Sequence, residues 1–587
     1  MKKAIDNKKL CKILFVIASV LVFAVVIVCF GFKTENPEEY LSVLNSYRIR
    51  QVYFIIGIPY LILAILTSIL KIHDMREFGR FLGIQGLALF IERSVLLGIV
   101  FAMPNPDSIM SLIASFLISF IFTYSQFLMI SKTFVYKGPE AVFLYISIPI
   151  LIMFLFLISP VSTPDNNSHI ISSYRFSNII LGINDNDGYV MQVEDYAYLQ
   201  SISDGYDFHG ETYPSCDAIQ KNLDTVFATR ELALRGITVE ASGYTHMAYY
   251  SILCWMPQII GLTIGRLIGL NPFWLFTLAR MIVALTYILV VVYAIRVSPL
   301  GKSIICGVAL FPMCLFMAVS FNYDSMVLIT VLGFLANVFR LKYSENGLKI
   351  SNLIQTILFA ILLGGVKGGG FILLIITAIF WSLEKKKLFY SAMIVFSGIA
   401  SFILFTKILP AGIVFFQMNA LAEGTMPAVY SLQHPVRYFS RVANYYFSNF
   451  QDLTGSMFGT WGPIKENTIP FSVVICMPLL IVIKSALSEE CKDISKVDLV
   501  YFRILVVFGI LYTPASVLVH NLKQYYRLYG VQGRYYLPFL ILFLILLAKK
   551  LNDKKMIRNI NPDSIDRAYA LTEGVSLVFM IILYFTR

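Results

Sequence analysis

The chain has 587 residues, 58% of them hydrophobic and only 14% charged, with a mean hydropathy of +0.74, more apolar surface than a water-soluble globule can carry, so it reads as a polytopic membrane protein. Its net charge of +12 and pI near 9.1 would suit nucleic acid, but Lys and Arg stand in short clusters between apolar runs, the positive-inside distribution of a membrane protein, and nucleic acid is set aside as a partner. The eight cysteines are scattered without a CxxC pair, which indicates neither a zinc site nor an outer-loop disulfide.

The first apolar segment, "KILFVIASVLVFAVVIVCFGF", follows a basic flank as a signal peptide does, but it is too long for one and no small-residue cleavage site follows, so it reads as a retained span. A span takes roughly 20 apolar residues. On that measure about fifteen helices are expected, near 12–32, 52–71, 81–103, 109–131, 140–159, 273–296, 302–321, 325–340, 351–366, 369–383, 389–408, 471–486, 499–519, 535–549 and 568–586. With the N-terminus cytoplasmic, the clusters at Lys71, Arg76 and Arg80, at Lys132 and Lys137, at Lys385 to Lys387 and at Lys549 and Lys550 all face the cytoplasm, as do Lys302, Lys342, Lys484 and Lys496.

Two long loops, 160–272 and 409–470, then lie outside. The first is rich in acids, among them Asp165, Glu194 and Asp195, and its stretch 185–215 reads as short strands or irregular loop. It ends in "YYSILCWMPQIIGLTIGRLIGL", residues 249–270, long enough to cross. Crossing would invert the charge bias of every later loop, so this segment is expected to lie in the outer interface, with Tyr250 and Trp255 at headgroup depth. The organisation expected is an N-terminal four-helix extension, 1–138, followed by a second domain over 139–587.

An ionisable side chain inside a span is costly and therefore a functional candidate. Glu92 and Arg93 lie in the third span, where a structural pair or a helix-packing contact is the favoured explanation. Lys367 interrupts "LLGGVKGGGFILL"; glycines on both sides suit a tight turn between spans, which does not account for a lysine, whereas an anionic headgroup would. Arg534, in "GVQGRYYLPF", stands where a span begins, a place that snorkelling alone would also explain. With Asp165 also at an outer helix end, an acid and two cations could share one outward cavity: a carboxylate to take a proton from an acceptor hydroxyl, and cations to meet charge growing on a departing phosphate.

These residues carry a resemblance. "PVSTPDNNSHIISSYRF", from Pro160, resembles the Pro-Asp-Glu-x-x-x-His-x-x-x-x-Tyr-Arg segment of an uncharacterised bacterial membrane family, the domain of unknown function 2142. Colinear matches follow in "GYTHMAYYSILCWMPQIIGLTIGRLIGLNPFWLFTLARM", "GVALFPMCLFMAVSFNYDSM", "LLGGVKGGGFILL", "QHPVRYFSRV" with "SMFGTWGPIKENTIP", and "GVQGRYYLPF", over roughly 140–550. That family is similar to the glycosyltransferase C (GT-C) superfamily, whose members move a sugar from a polyprenyl-phosphate donor to an acceptor at the outer face of the membrane. The resemblance implies an all-α GT-C-like core, Asp165 as catalytic base, and substrate-binding roles for His169, Arg175, His246, Asp324, Lys367, Gln532 and Arg534. Asn166 replaces the family's glutamate and Gly368 its proline, and Glu194 with Asp195 form a second acidic pair should Asp165 not serve.

The expected function is thus an inverting glycosyltransferase of the bacterial plasma membrane, active on its extracytoplasmic face, with a polyprenyl-phosphate sugar as donor and a cell-envelope glycan or lipid-linked saccharide as acceptor. No nucleotide-binding loop is seen, and no metal site or cofactor is called for, although a divalent cation, Mg or Mn, would be compatible. The alternatives are a transporter or flippase of lipid-linked saccharides, a polymerase or ligase of them, and a non-catalytic scaffold. A transporter should carry charge near the midplane and show internal repeats. Here the charges cluster at outer helix ends.

Overall fold

In hydrocarbon every backbone N–H and C=O has to be satisfied within its own segment, which leaves an apolar run one regular solution, the helix. A computed structural model describes residues 138–162, 166–183, 190–203, 222, 225–226, 228–230, 238–240, 251–345, 347–366, 374–375, 385–408, 433–459, 471–516, 528, 530–554, 560, 564–566, 568–569, 572–573 and 576. The expected extension 1–138, with Glu92 and Arg93, lies outside these apart from Gly138. The first helices are α1 (Pro139–Leu157), α2 (Asn166–Ile180), α3 (Val193–Ser201), α4 (Met256–Leu267), α5 (Pro272–Val297), α6 (Lys302–Ala309), α7 (Pro312–Met317) and α8 (Asp324–Tyr343). They are followed by α9 (Ile350–Val366), α10 (Lys385–Ile403), α11 (Pro435–Ser448), α12 (Phe450–Thr454), α13 (Phe471–Leu487), α14 (Lys496–Ser516) and α15 (Leu537–Asp553). Strands β1 (Val190–Gln192) and β2 (Thr238–Glu240) pair antiparallel, Val190 opposite Glu240.

Among the described residues four helices are long and apolar enough to cross a bilayer: α5, α8, α14, and α15 with the short 3-10 turn Gly533–Tyr536 before it. Shorter apolar helices run Pro139–Ile152, Ile350–Val366, Leu388–Ile403 and Ile475–Leu487. The expected spans 369–383 and 568–586 fall largely outside the described residues. Helix α8 is the centre of the bundle, with 89% of its apolar window buried against 44–56% for the other three long helices.

The expected span 302–321 is corrected. It is two short helices, α6 and α7, broken at Phe311–Pro312, because proline has no N–H to give and its ring displaces the preceding carbonyl. The carbonyls at the ends of these helices take donors from α5. Tyr287 Oη donates to Ala309 O at 2.7 Å, and Arg280 Nε to Val319 O at 2.5 Å. Arg280 also reaches the end of α1, donating to Phe154 O at 2.9 Å and Leu155 O at 3.3 Å. A fully buried cation in a long apolar helix is thereby satisfied by backbone oxygens.

One end of the bundle collects basic residues and their partners. Asp498, in the first turn of α14, accepts from Tyr343 Oη at 2.7 Å and from Lys342 Nζ, both at the end of α8. Lys484 of α13 pairs with Asp566 at 2.6 Å, and Glu490 accepts from Ser303 N and Oγ at the start of α6, at 2.9 and 2.6 Å. Several loops expected on one face are therefore neighbours in space.

In the segment 249–270, Trp255, expected at headgroup depth, is instead fully buried against His169 and Tyr323, and Tyr250 lies outside the described residues. Helix α4 has 12 residues, about 18 Å of helix, too short for a hydrocarbon core of roughly 30 Å. Ile260, Ile264, Leu267 and Ile268 are exposed along one face, while the opposite face packs on α5, where a Cβ on Gly261 would stand 2.4 Å from Ala279 Cα. Helix α2 was not expected. Its Ser- and Asn-rich sequence reads as loop, yet Ile170, Ile171 and Tyr174 are buried, and Ser173 Oγ is absorbed by the His169 and Ile170 carbonyls at 2.9 Å each. Within 185–215 the described residues form β1 and then a helix, α3.

Candidate functional site

At the end of the bundle opposite the basic cluster, α8 begins with an acid. Asn322 Oδ1 accepts the Asp324 backbone N–H at 2.8 Å, and Ser320 Oγ accepts that of Asn322 at 3.2 Å. This turn sets Asp324 in the first helical turn, where the positive end of the helix dipole favours a carboxylate. Arg534 Nε donates to Asp324 Oδ2 at 2.5 Å, and the two side chains are only 3% (Arg) and 10% (Asp) exposed. Asp324 therefore pairs with a cation, and Arg534 is held inside the protein rather than snorkelling.

Arg534 is positioned by the residue before it. Gly533 N donates to Ser456 Oγ at 2.8 Å, and a Cβ on Gly533 would lie 1.9 Å from Leu453 O and 2.6 Å from Met457 N. Only glycine lets this turn meet the π-helical turn Gly455–Gly459. Gly533→Ala is accordingly expected to abolish most folded protein, measured as the monodisperse fraction of a detergent extract; an elution profile like wild type would contradict this packing.

An aromatic wall stands beside the pair. The rings of His169 and Tyr323 meet edge to face with centroids 5.0 Å apart, and Trp255 lies 5.9 Å from each. Cys254 Sγ donates to Val366 O at 2.7 Å, which brings the end of α9, the residue before Lys367, against the same wall. Gln258 is fully buried and its Nε2 donates to Phe321 O at 3.4 Å. Its Oε1 and that of Gln532 are enclosed and accept no hydrogen bond among the described residues.

Of the residues expected to form the site, His169, Asp324, Gln532 and Arg534 belong to this end of the bundle. Arg175 is half-buried on α2, beside Tyr174. Asp165, His246 and Lys367 lie outside the described residues. Gln258 and Ser456 were not singled out from the sequence, and Trp255 only as an interface anchor, although each falls inside a segment that carried the resemblance. Among the described residues no three His, Cys, Asp or Glu side chains gather as metal ligands.

The second acidic pair has a different occupation. Asp195 is fully buried, accepting from Tyr174 Oη at 2.7 Å and from Arg230, which also pairs with Glu194 at 3.1 Å. Burial pushes the Asp195 carboxyl above the usual carboxylate range while Arg230 and Tyr174 pull it down. Arg266 stacks on the Tyr174 ring at 4.3 Å and donates to Ser177 Oγ at 3.1 Å. These contacts tie α2, α3 and α4 together. Asp195→Asn would leave Arg230 buried with a weaker partner, and it is expected to lower stability by about 3 kcal/mol, seen as a lower melting temperature. An unchanged melting temperature with lost activity would return Asp195 to the catalytic candidates.

A family profile described as a predicted membrane protein, DUF2142, matches residues 149–543, which takes in α2, the aromatic wall and the Asp324–Arg534 pair. This chain belongs to the DUF2142 family. No curated protein and no solved structure matches it. The segments that converge at this DUF2142 site, around His169, Trp255, Asp324, Ser456 and Arg534, all lie within the matched residues.

Proposed function

We propose that this DUF2142 protein is a membrane-embedded glycosyltransferase that uses a polyprenyl-phosphate sugar at the extracytoplasmic face of a bacterial plasma membrane. The observation that carries the reading is the buried Asp324–Arg534 pair at the end of the bundle opposite the basic clusters; the carboxamide oxygens of Gln258 and Gln532 are enclosed and accept no hydrogen bond among the described residues. Carboxamide oxygens accept hydrogen bonds from sugar hydroxyls without adding charge. The basic clusters at the other end of the bundle support an outward orientation by the positive-inside bias.

In this scheme Asp165 takes the proton of the acceptor hydroxyl as its oxygen bonds to the anomeric carbon. The bond from that carbon to the phosphate oxygen breaks on the opposite side, the electron pair leaving with polyprenyl phosphate, so configuration inverts. Lys367 meets the charge on the leaving phosphate. Arg534 is already engaged by Asp324, so its part is to fix that carboxylate beside the acceptor.

Cells lacking the protein are expected to lose one sugar from a surface glycan while its polyprenyl-phosphate form accumulates. The purified protein in liposomes should transfer that sugar. Completed lipid-linked glycan accumulating at the cytoplasmic face, with no transfer by purified protein, would favour a flippase instead.

A further inference from the structure

Glu573 lies beyond the residues that the family profile matches and outside the site above. The described residues between 564 and 576 are helical, and Asp566, Tyr569, Glu573 and Ser576, spaced by three or four, share one helical face. Glu573 is 1% exposed, and neither of its carboxyl oxygens accepts a hydrogen bond among the described residues. The hydroxyls of this helix are spent on backbone carbonyls instead. Tyr569 Oη donates to Gly307 O at 2.9 Å, Thr572 Oγ1 to Ala568 O at 2.8 Å and Ser576 Oγ to Glu573 O at 2.9 Å.

The charged neighbours do not supply a partner either. Lys484 of α13 pairs with Asp566 at 2.6 Å, two turns and about 10 Å along the helix from Glu573. The titratable groups that α6 and α7 bring to this stretch are the buried thiols of Cys306 and Cys314, which carry no positive charge. Around Cys306 stand Lys484, Asp566, Glu490 and Glu140. An ionised Glu573 would thus be an enclosed charge without a counterion, which a protein avoids by keeping the acid neutral. The hydrogen-bond directions agree. Tyr569, within reach of Glu573 one turn away, has given its proton to Gly307 O and can only accept, and a carboxyl can donate to it only when protonated.

A route to water stands on the other side of Tyr569. With Ser303, Cys306, Gly307, Lys484 and Asp566 it lines a hollow of about 150 Å³ at the basic end of the bundle, room for several water molecules. The Lys484 and Asp566 side chains that line it are 16% and 14% exposed, so the hollow meets the solvent of that end.

We propose that Glu573 is a proton-binding site inside the bundle, loaded and unloaded from the basic end through Tyr569 and this hollow. In the unloading step Glu573 gives its proton to Tyr569 Oη as the proton of Tyr569 passes to water in the hollow, leaving a carboxylate and a hydrated proton. That carboxylate then faces α6 and α7 unpaired, so the unloaded state has to draw water inward or shift the last helix against them. The site needs no sugar transfer and stands whether or not one occurs.

The test uses the full chain in liposomes and infrared difference spectra between wild type and E573Q, which keeps the neutral shape of the protonated acid. Wild type is expected to show a carboxylic acid band that moves on transfer to heavy water. Y569F should keep that band and slow its shift several-fold; Gly307 O retains the Leu310 N–H at 3.1 Å in this variant, so the break between α6 and α7 is not stripped of donors. Dicyclohexylcarbodiimide, which adds to protonated carboxyls in apolar surroundings, gives a reading that needs no variant: its adduct should map to Glu573 and decline as pH rises. A carboxylate band in place of the acid, an acid band indifferent to heavy water, exchange unaltered in Y569F, or sodium ions blocking the adduct at constant pH would each overturn the assignment.

Discussion

Arg534→Met, with Asp324 left in place, is expected to destabilise the protein by about 3–5 kcal/mol, whereas Asp324→Leu combined with Arg534→Met should recover most of that loss. The reason is the burial of the pair, with Arg534 3% and Asp324 10% exposed. Removing one partner strands the other charge in a poorly solvated place; removing both leaves an apolar contact. A double-mutant cycle read by thermal unfolding in detergent measures the coupling. Transfer activity should stay lost in the double variant even as stability returns, since the carboxylate proposed to face the acceptor is gone. Recovery of both would reduce the pair to a structural clamp.

The second large effect concerns Asp165. If its carboxylate accepts the acceptor's proton, Asp165→Asn should lower transfer by roughly 10²–10⁴-fold and leave the melting temperature unchanged. Asparagine keeps the size of the side chain and removes only its basicity. Surface glycan composition at matched protein level gives the reading in cells, and sugar transfer in liposomes gives it in isolation. Undiminished transfer by Asp165→Asn would remove Asp165 as the base. The stability profiles separate the two predictions: the Arg534 variant fails by unfolding, the Asp165 variant as an intact protein.

Much of the architecture was legible because hydrophobic length and charge bias are properties of single segments. Charge balance alone argued that 249–270 does not cross, and α4 there is 12 residues long, shorter than a span. Helix α2 escaped because its stability comes from burial of Ile170, Ile171 and Tyr174 by distant elements and not from its own polar sequence. The break between α6 and α7 was marked by Pro312, but hydropathy averages across it; what helps make the break tolerable is Tyr287 of α5, whose hydroxyl donates to Ala309 O just before it. Within the site, Arg534 and Asp324 could be named singly. Their pairing could not, since nothing local to either residue specifies the other. Gln258 was hidden for another reason: one glutamine in a short apolar helix is unremarkable until its surroundings leave its oxygen without a donor.

Asp324 and Arg534 are 210 residues apart in the chain, and this separation has a meaning during synthesis. At about 5–20 residues per second a ribosome takes roughly 10–40 s to travel from one to the other. Throughout that interval α8 has entered the membrane with its carboxylate lacking the guanidinium that later neutralises it. The nascent protein thus waits for the turn that follows α14 before the pair can form, and a chain cut short after α14 would never assemble it. Emergence of Arg534 is in this sense the event that neutralises the carboxylate.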